Sequence, residues 1–210
     1  VGGVRRSALI SLSNLSDDRM RVAKSGQWWE DHAQRALANN SACYTEKPEI
    51  GIFMDEWKSL YDSKSGERGI FNRKSAQEQA ERNGRRQSDW DFGTNPCSEI
   101  ILRSKQFCNL SEVVIRASDT MKTLKKKVEI ATILGTFQST LTNFRYLSSS
   151  WTNNTREERL LGVSLTGIMD STLTNGKEEG LDKRLEELKQ VAIKTNEEWS
   201  AKLGIPRPHI

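Results

Sequence analysis

The chain has 210 residues, of which 35% are hydrophobic and 29% charged, so it can form a domain with a real core or a large piece of a bigger one. Its 32 basic and 28 acidic residues leave a net charge of +4, too mild to indicate a basic nucleic-acid-binding surface. No apolar run reaches membrane-spanning length. The three cysteines, Cys43, Cys97 and Cys108, form no CxxC pair, which favours a reducing, cytoplasmic setting over a disulfide framework.

The predicted elements alternate short apolar strands with longer helices. Strands are predicted at residues 6–12, 99–103, 113–116 and 160–169, and helices at 16–24, 49–62, 73–83, 119–144 and 181–203. Residues 33–41 are interpreted as a helix end that runs into an Asn-rich turn. This alternation predicts an α/β fold with a parallel sheet or barrel. Two histidines are too few for a His/Cys zinc site, and no metal site is predicted.

The segment "GTNPCSEI" (93–100) places an amide, a thiol and a carboxylate at alternate positions, Asn95, Cys97 and Glu99. On an extended backbone these side chains share one face and lie about 7 Å apart, a spacing that suits one sugar-sized substrate. The carboxylate can accept a proton from a hydroxyl while the amide orients its neighbour. The alternative is a packed thiol beside a surface carboxylate, because cysteine is among the most buried residue types.

Cys108 follows Cys97 by eleven residues, and a strand, a turn and a return can place it near the same pocket. Two thiols and a carboxylate in one cavity would indicate redox chemistry on a hydroxylated substrate. Spacing alone leaves that interpretation and the packed-thiol alternative both open.

"GTNPCSEI" followed by "FCNLSEVVIR" resembles the active-site segment of ribonucleotide reductases, particularly the adenosylcobalamin-dependent type. Five other segments are similar to that family and occur in the same order: "GGVRRSA", "ALANNS", "SGERGIFNR", "LLGVSLTG" and "LGIP". The resemblance implies that residues 1–210 form the central part of a single catalytic α/β barrel, incomplete at both ends.

The resemblance also implies a role for each matched residue. Cys97 would become a thiyl radical that removes hydrogen from the ribose 3′ carbon, and it would lie in the closed barrel away from water. Glu99 would be the base for the 3′ hydroxyl, and Asn95 would hold the ribose hydroxyls. Cys108 would be one of two reducing thiols that end as a disulfide. A loop that reads the substrate base under effector control would contain Gly2, Gly3, Arg5, Arg6 and Ser7.

The implied cofactor is adenosylcobalamin. The implied partners are a ribonucleotide substrate, a nucleotide effector, a thioredoxin-like reductant and flanking reductase segments, with no membrane and no direct nucleic acid. The family's second reducing cysteine is expected before Val1, and its Pro-Ser-Gly-Thr phosphate loop after "LGIP", so neither is in the chain, and the cobalamin site is incomplete. Cys43 matches no mechanistic thiol. The alternative function is therefore a catalytically inactive fragment or a split-enzyme assembly subunit that needs flanking chains.

Overall fold

The computed structural model describes residues 9–84 and 86–210. It divides into two compact units, one that ends at Ser104 and one that begins at Lys105. The predicted base-reading loop, with Gly2, Gly3, Arg5, Arg6 and Ser7, lies outside the described residues.

The first unit contains a parallel three-stranded sheet with β2 at its centre. Its strands are β1 (Leu9–Ser13), β2 (Ala38–Tyr44) and β3 (Gly69–Asn72). Its helices are α1 (Asp18–Arg21), α2 (Trp28–Asp31), a 3-10 turn (Ala33–Leu37), α3 (Ile50–Ser63) and α4 (Arg73–Asn83). A hairpin follows, made of β4 (Gly93–Thr94) and β5 (Ile101–Leu102), which pair antiparallel. A core cluster that includes Phe71, Ala76, Ala80 and Phe92 packs helix α4 against strand β3.

Helices α3 and α4 confirm the predictions over 49–62 and 73–83, because apolar spacing and end signals are local. Helix α4 begins where the Asn72 side chain accepts the Ser75 amide at 2.9 Å, and it ends at Gly84 in the left-handed conformation. Helix α1 is shorter than the predicted 16–24, and Asp17 is its N-cap.

The prediction of an Asn-rich turn near residue 39 is wrong, because Asn39 and Asn40 lie inside the central strand β2. Both side-chain amides donate hydrogen bonds to distant carbonyl oxygens, Asn39 to Pro96 at 2.7 Å and Asn40 to Met20 at 2.7 Å. These tertiary contacts satisfy polar groups that a buried strand would otherwise leave unpaired, so they override the turn preference of asparagine.

The second unit is built on two parallel strands, β6 (Asn109–Val114) and β7 (Leu161–Thr166). Its helices are α5 (Met121–Gln138), α6 (Ser149–Glu158), a 3-10 turn (Ile168–Asp170) and α7 (Leu181–Leu203). Val113 and Leu124 belong to a core in which α5 and α7 cover one face of the strand pair. On the opposite face of β6, Leu110, Glu112 and Val114 are exposed.

The prediction of α7 is confirmed. Strand β7 and helix α5 are shorter than the predicted 160–169 and 119–144, and α6 was not predicted. Helix α5 ends at Gln138. The next two hydroxyls bond back to the helix, since Ser139 donates to the Thr136 carbonyl and Thr140 to the Phe137 carbonyl, both at 2.7 Å. Side chains that compete in this way for backbone groups favour a helix end.

The described residues form three separate small sheets and no closed barrel. The architecture is therefore mixed α/β, as predicted, without the barrel that the resemblance implied. Within 9–84 and 86–210, no helix has both the length and the apolar character needed to cross a bilayer.

Candidate functional site

The "GTNPCSEI" segment forms the tip of the β4–β5 hairpin. Its turn runs from Asn95 to Ser98 and is closed by a 2.9 Å hydrogen bond from the Ser98 amide to the Asn95 carbonyl. Pro96 occupies the second position of the turn, where its fixed φ is favoured. Ser98 follows in the left-handed conformation, with φ of 67°. These features suit a four-residue hairpin loop built around a turn.

The prediction that Asn95, Cys97 and Glu99 share one face of an extended strand is therefore wrong. Alternation of side chains between two faces requires a continuous extended backbone. Here the turn reverses the chain between Asn95 and Ser98. The three residues remain neighbours because one hairpin tip carries them.

The Asn95 side chain stabilises the hairpin through its Oδ1 atom. Its Oδ1 atom accepts the Ile100 amide at 3.0 Å, while the Asn95 amide donates to the Ile100 carbonyl at 3.2 Å. The buried Thr94 hydroxyl donates to that same carbonyl at 2.9 Å. Because Oδ1 already accepts a hydrogen bond from the loop backbone, Nδ2 is the group of this side chain that can donate to a ligand.

Cys97 and Glu99 are both exposed. The resemblance implied a thiol shielded from water, whereas in this chain the hairpin tip exposes it. An exposed thiol and an exposed carboxylate on one tip are accessible to a substrate. They gain shielding only when another surface covers the tip.

Cys108 lies in the second unit, directly before strand β6, and is half-buried. The segment that leads to it is held by α6 and the loop before it. Phe107 stacks on Trp151 at 4.7 Å and meets Phe144 at 4.8 Å between ring centroids, and the buried Gln106 side chain donates to Glu158. Cys97 and Cys108 thus belong to different units, and their joint use stays a prediction.

Cys43 lies on β2 and packs against the cluster that contains Phe71 and Phe92. Burial raises the pKa of the Cys43 thiol, Arg73 opposes that shift, and Asp91 adds to it. A thiol whose pKa is raised is a poor nucleophile at neutral pH, which agrees with a structural role. None of the three cysteines forms a disulfide.

The sequence did not predict a network of ion pairs in the first unit, in which two arginines share one glutamate. Arg68, from "SGERGIFNR", is buried and donates to the buried Glu56 carboxylate at 2.7 and 2.8 Å. Arg21 adds a bond to the same carboxylate at 3.1 Å. Burial by itself raises the pKa of Glu56, but the hydrogen bonds and charges of Arg68 and Arg21 outweigh it and lower that pKa. The sequence analysis noted the segment that contains Arg68 only as part of the resemblance, and its spacing from Glu56 did not indicate a pair.

A cavity of roughly 350 Å³ lies beside β1, β2 and α1 and is lined in part by Ser11, Lys24, Arg35 and Asn39. Lys24 Nζ donates to the Ala38 carbonyl at 2.7 Å and to the Glu67 carboxylate at 3.0 Å. Arg35 donates to the Ala23 carbonyl. Both cations therefore donate hydrogen bonds to protein groups beside this cavity.

No protein-family model matches the chain. The chain is similar to two curated proteins, each named adenosylcobalamin-dependent ribonucleoside-triphosphate reductase. The protein from Lacticaseibacillus paracasei is 31% identical over 174 residues, which is 80% of this chain and 22% of that protein. The protein from Levilactobacillus brevis is 28% identical over 181 residues, which is 84% of this chain and 23% of that protein. The chain thus spans less than a quarter of the length of either relative.

Proposed function

We propose that the chain is part of the catalytic subunit of an adenosylcobalamin-dependent ribonucleotide reductase and contributes to the reduction of ribonucleotides to deoxyribonucleotides. The observation that carries this proposal is the hairpin tip, which presents Cys97 between Asn95 and Glu99. The similarity to two reductases over 80% and 84% of the chain supports it. In the cell, the product would supply DNA precursors in the cytoplasm.

In the proposed mechanism, Cys97 acts as a thiyl radical and removes hydrogen from the ribose 3′ carbon. Glu99 accepts the proton of the 3′ hydroxyl. Asn95 donates from Nδ2 to a ribose hydroxyl, because its Oδ1 atom is engaged by the Ile100 amide. These roles need a substrate seated on the hairpin tip.

One of two thiols protonates the 2′ hydroxyl, which leaves as water, and the other gives a hydrogen to the 2′ carbon, so that the pair supplies two protons and two electrons and ends as a disulfide. Glu99 then returns its proton to the 3′ oxygen, and Cys97 returns its hydrogen to the 3′ carbon and is again a thiyl radical. Cys108 is one of the two reducing thiols, and the other comes from another part of the enzyme. A thioredoxin-like reductant then restores both thiols. Arg5, which belongs to the predicted base-reading segment with Gly2, Gly3, Arg6 and Ser7, helps to read the base under control of a nucleotide effector.

Adenosylcobalamin, when bound, supplies the radical equivalent that reaches Cys97. We assign no residue of this chain to the cofactor, because the resemblance marks no complete cobalamin site here. The contribution of this chain is to present the thiol, the amide and the carboxylate.

A thiyl radical must be kept from water, yet Cys97 and Glu99 are exposed in this chain. We therefore propose that other reductase segments cover the hairpin tip and complete a barrel. This requirement explains why activity is expected from the assembled enzyme and not from the chain by itself.

A chimera tests the proposal. This chain replaces the matching region of the Lacticaseibacillus paracasei protein, and cobalamin-dependent reduction of ribonucleoside triphosphates is measured. We expect turnover that Cys97→Ser abolishes and that the control Cys43→Ser retains, because the resemblance gives Cys43 no mechanistic role.

The second candidate is a catalytically silent assembly piece, which the exposure of Cys97 and Glu99 favours. It predicts a folded chimera with no turnover, or turnover that survives Cys97→Ser. Either result contradicts the proposed catalytic role.

A further inference from the structure

One side chain connects the turn from Asn95 to Ser98, called here the Cys97 turn, to β2, the central strand of the sheet. Asn39 Nδ2 donates to the Pro96 carbonyl oxygen at 2.7 Å, across 57 residues of sequence. That carbonyl belongs to the peptide that joins Pro96 to Cys97, the middle peptide of the turn. The closing bond of the turn runs from Ser98 to Asn95 and does not use it.

The middle peptide is the part of a β-turn whose orientation is least determined by the closing hydrogen bond. Turn types I and II differ mainly by a rotation of this peptide, which changes ψ of the second residue and φ of the third. The third residue here is Cys97, whose φ is outside the positive range, whereas Ser98 has φ of 67°. A bond to the Pro96 carbonyl therefore restrains the orientation of this peptide and, with it, φ of Cys97.

The donor is itself on a rigid support. Asn39 lies in β2, where it pairs with Ile10 of β1 in the parallel register. Strand β2 has a neighbour on each side, and residues on such elements hold a site more firmly than loop residues do.

We propose that Asn39 is a positioning residue for Cys97: its side-chain amide holds the Pro96–Cys97 peptide and so aims the thiol. For catalysis, this role rests on the proposed function. The restraint of the Pro96–Cys97 peptide by Asn39 does not depend on the proposed function, since it concerns only the order of that peptide in this chain.

Adjacent asparagines provide a matched pair of variants. Asn40 follows Asn39 on the same strand and is buried, but its Nδ2 atom donates to the Met20 carbonyl at 2.7 Å, away from the turn. Asn39→Ala and Asn40→Ala each remove one buried or half-buried amide from β2. Only the first removes a bond to the Cys97 turn.

The first measurement is the NMR order parameter of the Cys97 amide in the ¹⁵N-labelled 210-residue chain, because this N–H belongs to the peptide that Asn39 holds. We expect the order parameter to fall from about 0.85 to below about 0.6 in Asn39→Ala and to stay unchanged in Asn40→Ala. An unchanged value in Asn39→Ala, or an equal fall in both variants, overturns the proposal. If Asn39→Ala does not fold, Asn39→Asp, which keeps the shape and lacks the N–H donor, is measured with the same expectations.

The second measurement is steady-state turnover in the chimeric reductase. A misaimed thiol should lower kcat by about tenfold or more while KM changes by less than about twofold, since small misplacements of a reacting group slow the chemical step. Unchanged kcat together with a disordered Cys97 amide overturns the catalytic part. If the unmodified chimera has no turnover, the proposed function fails, and the NMR comparison still decides whether Asn39 holds the turn.

Discussion

Arg68 and Glu56 form an ion pair with almost no solvent exposure, 0% for the arginine side chain and 1% for the glutamate. Two hydrogen bonds, from Nε to Oε1 at 2.7 Å and from Nη2 to Oε2 at 2.8 Å, join them in a fork. Arg68 also donates to the Ser13 hydroxyl at 3.0 Å and to the Asn14 carbonyl at 2.9 Å. These bonds connect the segment before β3 to helix α3 and to strand β1.

Glu56→Gln should lower the free energy of unfolding by about 3–5 kcal/mol, because it leaves the buried Arg68 cation without its counter-charge. Urea denaturation measures this loss. Asp62→Asn is the matched control, since Asp62 pairs with Lys58 on the surface and exposed pairs contribute about 1 kcal/mol or less. Equal losses in the two variants would contradict a special role for the buried pair.

The same carboxylate should make stability depend on acid pH. Burial raises the pKa of Glu56, but Arg68 and Arg21 lower it further than burial raises it, so the folded pKa lies below the ordinary 4.5. The stabilisation is then fully present above the unfolded pKa and is lost as pH falls through the folded pKa. Melting temperatures measured from pH 7 to pH 3 should fall less steeply below pH 4.5 in Glu56→Gln than in the native chain. Parallel curves would show that Glu56 is not the titrating group.

Gly167→Ala should destabilise the second unit strongly. Gly167 has φ of 72°, and an added Cβ would overlap the Ile115 carbonyl oxygen. Gly176 has a similar φ of 78°, but the nearest atom to its added Cβ is Leu181 Cδ2 at 3.8 Å.

The two alanine variants therefore separate backbone strain from collision. We expect a loss of about 1 kcal/mol for Gly176→Ala, from backbone strain, and about 2–4 kcal/mol for Gly167→Ala, where overpacking adds to it. Thermal and urea unfolding provide both numbers. Similar losses in the two variants would mean that the segment near Ile115 yields to the extra carbon.

Thr136→Val should cost about 1–3 kcal/mol, because it removes a hydroxyl donor within reach of Oδ1 of the fully buried Asn196. The Thr136 hydroxyl has two acceptors in reach, the Thr132 carbonyl at 2.8 Å within the helix and Asn196 Oδ1 at 3.2 Å, and the second of these links α5 to α7. Thr132 is buried equally on the same helix, but its hydroxyl donates to the Val128 carbonyl within the helix. Thr132→Val should therefore cost less than about 1 kcal/mol. Equal costs by urea denaturation would contradict a specific role for the link between the helices.

Local sequence signals predicted several elements well. Helices α3, α4 and α7 and strand β7 follow from apolar spacing and from glycine at helix ends, and these signals act within a few residues. Helix α6 was missed because its polar sequence, "SSWTNNTREE", has few apolar positions from which to read a period.

The candidate site was predicted in composition but not in geometry. Asn95, Cys97 and Glu99 lie on one hairpin tip, where the turn hydrogen bond from Ser98 to Asn95 replaces the expected extended strand, and their roles stay predictions. Pro96 signals a turn as readily as an irregular strand. Pairing of β4 with β5 decides between these two outcomes.

By itself, the sequence determined where α3, α4 and α7 form and that Asn95, Cys97 and Glu99 lie close along the chain, because periodicity and local order are properties of short stretches. The tertiary structure alone decided the hydrogen bonds from Asn39 to Pro96 and from Arg68 to Glu56. It also decided that Asn39 and Asn40 lie in a strand. Such contacts join residues far apart in the chain, and they depend on the path of the whole backbone and on the need of each buried polar group for a partner.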